Sequence, residues 1–271
     1  MPIVPVSTGI RLNYEDVGSG EPILMIMGTG ADHTLWAPTI PAYVDEYRVI
    51  TFDQRGTGKS DHPDDPSTYT ATVLAEDAVA LLDALGVDAA HISGLSLGSA
   101  VAQELAIAYP RRVRTLQLHS TWGKTDAWLL RLFESMAYPV ERGDLEAFAR
   151  MAFMMVMSPT MLNDFPDEVA EIERQYLANP PSRNGLLGHL HADRTHDSLD
   201  RLINIQAPTL ITSGEMDWQV PTRYGEEVDW WIPNSRLHVF SGPFSSHMAY
   251  SEMAEEFNEV TLDFLRIHPE R

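Results

Sequence analysis

The spacing of hydrophobic and polar positions changes several times along the chain, and each change marks an element. Ile10-Arg11-Leu12-Asn13-Tyr14-Glu15 alternates apolar with polar, the two-residue period of a half-buried strand. Gly18-Ser19-Gly20 marks a turn, and residues 22–27 form an apolar run of strand length. Residues 47–52 form a further strand, running into the Gly-rich segment 53–60. In 71–85, Val73, Leu74, Ala78, Leu81, Leu82 and Leu85 recur on one side of a helix that Gly86 stops. An apolar run at 89–93 and a helical stretch at 99–106 flank Gly94-Leu95-Ser96-Leu97-Gly98, and 113–118 is the next strand.

From about 123 to 197 the alternation of strand and helix stops. Helical stretches at 125–137, 143–157, 166–178 and 182–192 are predicted, separated by Pro139, Ser158-Pro159 and Pro180-Pro181. Strands at 207–212 and 236–240 then resume the first pattern, and a helix over 248–266 ends it. Strands separated by helices imply right-handed crossovers and a largely parallel sheet. The expected organisation is an α/β core of residues 1–122 and 198–271, interrupted by a helical cap at 123–197.

Composition narrows what this architecture can do. With 44% hydrophobic and 21% charged residues over 271 positions, the profile is globular. The absence of cysteine excludes disulfides, thiolate metal sites and a cysteine nucleophile. A formal net charge of −20 repels phosphate backbones and argues against a nucleic-acid partner. Apolar runs such as Ile23-Leu24-Met25-Ile26-Met27 are too short to span a bilayer, and the first residues lack the pattern of a secretion signal. A cytoplasmic enzyme with no membrane partner is therefore expected; the oligomeric state stays open. Six of the 12 methionines fall in the cap, namely Met136, Met151, Met154, Met155, Met157 and Met161. Cap packing accounts for most of them, with some expected to serve an adaptable pocket as well.

Gly94-Leu95-Ser96-Leu97-Gly98 is the G-x-S-x-G pattern of a sharp strand-to-helix turn that exposes a serine nucleophile. A serine hydroxyl needs a base to take its proton, and the base needs a third group to hold its tautomer. Two later strand ends supply both. Asp217 follows the strand at 207–212, and His247 follows the strand at 236–240, in the order Ser, Asp, His expected for such a sheet. Glu215 and Asp126 are alternative acids. His238 is a rival base, but its place within an alternating strand favours a structural role. His33 and His119 are further candidates for the pocket wall.

Two other patterns carry less. Gly56-Thr57-Gly58-Lys59-Ser60 evokes a phosphate-binding loop, yet Thr51 occupies the position of the required first glycine. His189-Leu190-His191-Ala192-Asp193-Arg194-Thr195-His196 approaches a dinuclear-metal signature, with Arg194 in place of the third histidine. Residues two apart on a helix point apart, so His189 and His191 are poor co-ligands. The more favourable reading turns one of these histidines, or Arg194, toward the pocket.

With these segments assembled, the chain resembles the α/β-hydrolase superfamily over essentially its whole length. The resemblance rests on Gly94 to Gly98, the D-x-R-G-x-G-x-S turn Asp53 to Ser60, residues 207–217 and the His247 segment. Within the superfamily it is most similar to the small-ester and enol-lactone hydrolases and the polyketide methylesterases. The resemblance implies a mostly parallel eight-stranded sheet with helices on both faces and an inserted cap. It also implies Ser96 as nucleophile, His247 as base, Asp217 as acid, and Asp53 and Arg55 as structural turn residues. The oxyanion donors would be the N–H groups of Leu97 and Thr29, with Gly28 the alternative to Thr29. Relatives commonly carry His-Gly where this chain has Met27-Gly28, and glycine where it has Ser99. Gly28, Trp122, Phe133, Met154 and Trp218 are candidate pocket residues. The expected reaction is hydrolysis of a small carboxylic ester or lactone by water, with no cofactor and no metal. Rival readings are a carbon–carbon bond hydrolase, a cofactor-free perhydrolase and a ligand-binding homologue without turnover.

Overall fold

The computed structural model describes residues 2–268. Eight strands form one sheet: β1 (Ile3–Pro5), β2 (Arg11–Gly18), β3 (Glu21–Ile26), β4 (Tyr47–Phe52), β5 (Ala90–Leu95), β6 (Val113–His119), β7 (Thr209–Gly214) and β8 (Ser235–Phe240). Their spatial order is β1-β2-β4-β3-β5-β6-β7-β8. The pairs β1–β2 and β2–β4 are antiparallel; every later pair is parallel. This is the α/β-hydrolase fold.

The helices are α1 (Ile40–Tyr43), α2 (Ala71–Ala84), α3 (Leu97–Ala108), α4 (Ala127–Glu141), α5 (Leu145–Val156), α6 (Pro159–Asp164), α7 (Pro166–Ala178), α8 (Arg183–Thr195), α9 (Thr222–Trp231), α10 (Ala249–Glu252) and α11 (Ala254–Arg266). Five of them, α4 to α8, are inserted between β6 and β7. A short bridge between Lys124 and Asp197 pairs the two ends of this insertion.

The period of two in each strand distributes its side chains to two cores. In β3, Leu24 and Ile26 enter the cluster covered by α2 and α3, while Ile23 and Met25 enter the one covered by α11. Both faces being covered, β5 and β7 are buried at every position, including the polar His91, Ser93, Thr209 and Thr212. A third cluster, around Trp122, Leu129, Phe133 and Leu190, holds the cap together.

Two expectations about boundaries change. The helix expected over 248–266 is broken at Met253, whose backbone (φ −126°, ψ 40°) ends α10 and begins α11. Met253 packs against the core on the α11 side, so its apolar character conceals the break. Pro139 lies inside α4 rather than between helices. It sits in the last turn, where its missing N–H costs one helix bond; Gly143 at φ +76° follows the helix end. No helix among the described residues is long and apolar enough to cross a membrane.

Candidate active site

Ser96 sits between β5 and α3 with φ 55° and ψ −122°, a left-handed conformation that costs a side-chain-bearing residue on the order of 1–3 kcal/mol. Packing imposes it. A Cβ on Gly98 would collide with the carbonyl oxygen of Ile26, and one on Gly94 with that of Gly98. The Ser96 N–H donates to His119 O at 2.9 Å, which ties the turn to β6. Ser99, the residue after Gly98, hydrogen-bonds its hydroxyl to Ser96 O at 2.6 Å.

Asp217 lies in the loop after β7 and His247 in the loop after β8, and the parallel pairing of these neighbouring strands brings the two together. His247 Nδ1 lies 2.8 Å from Asp217 Oδ2, with both residues 4% exposed. The other carboxylate oxygen accepts the N–H groups of Gln219 and Val220 at 2.9 and 2.8 Å. An ionised carboxylate only accepts, so the imidazole proton belongs on Nδ1 and the lone pair on Nε2. Ser96 and His247 line the same cavity. The Ser96 hydroxyl makes no hydrogen bond among the described residues; in sites without substrate such contacts often tighten only on binding.

The rival groups lie elsewhere. Glu215 is exposed, and Asp126 caps α4 through the N–H groups of Trp128 and Leu129. His238 stands on β8, 3.9 Å from Glu256. His119 is buried between Ser93 and Thr212, and burial pulls its pKa down to about 3. His33 binds Asp53 at 2.6 Å. Asp53 also accepts Asn13 Nδ2 and the N–H groups of Lys59 and His33. With Arg55 paired to Asp77, this occupies the 53–60 turn in structural bonding. Asp32, His33 and Asp53 bring potential ligand atoms within 4.8 Å of one another, but Asp53 spends both oxygens on protein donors.

The loop after β3 passes directly over the serine. A Cβ on Gly28 would stand 3.1 Å from Ser96 Cβ and 3.7 Å from Ser96 Oγ. The backbone N–H groups of Gly28, Thr29 and Leu97 have no protein acceptor among the described residues. The Thr29 hydroxyl donates to Asp193 Oδ2 at 2.7 Å.

The cavity beside Ser96 holds about 100 Å³ and its walls are largely apolar. Of the five expected pocket residues, Gly28 lines it. Trp122 and Phe133 are instead packed in the cap interior, ring centroids 5.5 Å apart, with Trp122 Nε1 bonded to Thr125. Met154 and Trp218 face solvent, 61% and 65% exposed. Met136, one of the cap methionines, lines the cavity as well, and the rest of the cap wall is built by residues the sequence did not single out: Phe148, Ala149, Ala152, Phe153 and Val156 along one face of α5, with Tyr176 of α7. Their spacing of about four residues was a usable signal, and Met154 lies off that face. A second cavity of about 470 Å³ adjoins the first, sharing Ala31, Leu35, Phe153, Tyr176, Met248 and Tyr250 with it.

Residues 21–252 match the family model described as alpha/beta hydrolase fold. A protein of Azorhizobium caulinodans, provisionally named the carbamate hydrolase RutD, is 31% identical across 93% of this chain and 94% of its own. A 2-hydroxymuconate semialdehyde hydrolase of Pseudomonas sp. is 31% identical across 96% of this chain and 92% of its own. Among solved structures, a thermophilic esterase of Thermogutta terrifontis superposes with a TM-score of 0.88 at 27% identity, covering 99% of this chain and 100% of its own. An enol-lactonase of Burkholderia xenovorans shares the fold at TM-score 0.88 and 24% identity, covering 98% and 100%. The chain therefore belongs to the α/β-hydrolase fold family and is a hydrolase of that fold.

Proposed function

We propose that this hydrolase cleaves a small carboxylic ester or lactone through an acyl-enzyme on Ser96. The observation that carries the reading is the His247–Asp217 pair, held at 2.8 Å, with His247 lining one cavity together with Ser96. His247 Nε2 takes the Ser96 proton as Oγ attacks the carbonyl carbon, and Asp217 stabilises the resulting imidazolium. The N–H groups of Leu97 and Thr29 hold the oxyanion; each such donor is worth roughly 3–4 kcal/mol of barrier. The imidazolium then protonates the departing alkoxide. Water, deprotonated by His247, attacks the acyl carbonyl, and the proton returns to Ser96 as the acid leaves. No step calls on a group from outside the chain other than water.

The cavity favours neutral acyl groups of short or medium length. No lysine or arginine is among the residues lining it. A negatively charged acyl group would lose its hydration there without gaining a counter-charge. The 31% identity to a 2-hydroxymuconate semialdehyde hydrolase supports a second reading, carbon–carbon bond cleavage by the same triad. A carboxylate-bearing muconate skeleton fits an uncharged wall poorly, which places this reading second.

The test is labelling with a fluorophosphonate probe at neutral pH, followed by a screen of p-nitrophenyl esters, lactones and enol-lactones. Labelling that disappears in Ser96→Ala, with turnover of C2 to C6 esters, is expected. An unlabelled wild-type protein, or a strong preference for long-chain triglycerides, contradicts the proposal.

A further inference from the structure

Helix α8 of the cap carries two buried polar side chains that no step of the proposed reaction uses. His189 and Asp193 stand four residues apart on one face, and both are fully buried. They reach the loop that passes over Ser96. Gly30 N–H donates to His189 Nδ1 at 3.1 Å, and the Thr29 hydroxyl donates to Asp193 Oδ2 at 2.7 Å. The other ring nitrogen of His189 lies 2.9 Å from the carbonyl oxygen of Arg55 in the 53–60 turn. An amide only donates and a carbonyl only accepts, so this ring is fixed as the Nε2–H tautomer. Burial lowers its pKa to about 4, which keeps Nδ1 available to Gly30 at neutral pH.

The helix is seated too closely for these contacts to be incidental. A Cβ on Gly185 would collide with Gly56 O, and one on Gly188 with the ring of Tyr69. Gly30 adopts φ +68°, and a Cβ there would come within 2.7 Å of Leu186. Asp193 is tied in turn to the segment that follows β6: its carbonyl accepts the Thr125 hydroxyl at 2.6 Å, and Thr125 accepts Trp122 Nε1 at 2.9 Å. The peptide N–H of Thr29 lies between a clamped side chain and a clamped following amide, on a loop whose glycines would otherwise let it turn.

We propose that His189 and Asp193 are positioning residues that hold the Thr29 amide toward the reacting carbonyl, so that the cap fixes half of the oxyanion hole. This rests on the serine-hydrolase reading above. The effect belongs to the transition state, because the ground-state carbonyl gains little from a donor aimed at an oxyanion. Loss of the clamp therefore lowers kcat and leaves KM nearly unchanged.

The experiment compares steady-state hydrolysis of a p-nitrophenyl ester and inhibition by a phenylboronic acid in wild type, Thr29→Val, Asp193→Asn, Asp193→Leu and the double variant Thr29→Val/Asp193→Leu. Thr29→Val keeps the amide and the side-chain shape but removes the clamped hydroxyl. A roughly 10- to 100-fold fall in kcat is expected, with KM within about twofold and boronate affinity falling in parallel. Asp193→Asn keeps an accepting oxygen and should retain kcat within about threefold. The double variant should be no slower than the slower single one, as two ends of one bond require. Full kcat in Thr29→Val, or losses that multiply in the double variant, overturn the inference. If Asp193→Leu fails to fold, Thr29→Val against Asp193→Asn still decides. A wild-type protein that is neither labelled by fluorophosphonate nor active on esters defeats the underlying reading instead.

Discussion

Asp217 holds His247 with one carboxylate oxygen at 2.8 Å and is itself held by two backbone N–H groups on the other. The carboxylate cannot rotate without breaking three hydrogen bonds, and the imidazole cannot flip without losing its acceptor. The relationship fixes which ring nitrogen faces the cavity.

Asp217→Asn keeps the size of this group but presents an NH₂ or a weaker acceptor to Nδ1, which favours the wrong tautomer. In serine enzymes with the same geometry this change costs about 10⁴ in kcat. A loss of that order in ester turnover is expected, with a thermal midpoint close to wild type. Activity within tenfold of wild type would show that another group orients His247.

Gly98→Ala places a methyl group against the Ile26 carbonyl oxygen, which belongs to the central sheet and cannot yield. Overpacking against backbone should cost about 3 kcal/mol, a large part of the roughly 5–15 kcal/mol that holds a typical domain. Urea denaturation should show a sharply lowered midpoint, or the variant should fail to accumulate in soluble form. A wild-type midpoint would mean that β3 and α3 can separate more easily than this packing implies.

Ala152→Leu adds three carbons to the α5 wall of a cavity of only about 100 Å³. Acetyl esters should be retained and longer acyl chains excluded. The ratio of kcat/KM for p-nitrophenyl acetate to that for the hexanoate should rise at least about tenfold. An unchanged chain-length profile would place the acyl group outside this cavity.

Stability should depend on pH through buried groups of opposite sense. Burial holds His119 down to about 3 and His189 and His196 down to about 4. Between about 4 and 6.5 the unfolded chain binds protons that these rings refuse, so their contribution falls as the pH drops through that window. Asp193 is pushed up to about 7 by burial. From about 4 to 7 the folded chain keeps a proton that the unfolded chain has lost, so its contribution falls as the pH rises. Urea midpoints at pH 4.5, 6 and 8 should show Asp193→Asn gaining on wild type as the pH rises. A constant difference between the two proteins would contradict a buried, proton-holding Asp193.

The sheet was legible because its strands obey local rules. A strand covered on both faces is buried at every position, as in β5 and β7, where small and polar residues stand among the apolar ones, and a helix lying on it has to be apolar along one side, as in α2. The glycines of the serine turn were legible for a similar reason, since only glycine permits such close backbone contact. The break at Met253 and the passage of α4 through Pro139 were not, because an apolar residue on the buried side and a proline in a last turn leave the pattern intact.

By itself, then, the sequence determined seven of the eight strands, the longer helices between them, the place of the helical insertion, and that Ser96, Asp217 and His247 each follow a strand. Each of these follows from spacing over a few residues, while β1, α1, α6 and α9 went unpredicted. The tertiary structure alone decided what surrounds the serine. Trp122 and Phe133 went into the cap interior and Met154 and Trp218 to solvent, while α5 and Tyr176 formed the wall. His189 and Asp193, which read as part of a failed metal signature, became partners of Gly30 and Thr29 across 159 and 164 positions of chain. Periodicity states which face of a helix seeks cover. Which neighbour provides it depends on how the cap docks, and that is settled by close packing between segments far apart in the chain.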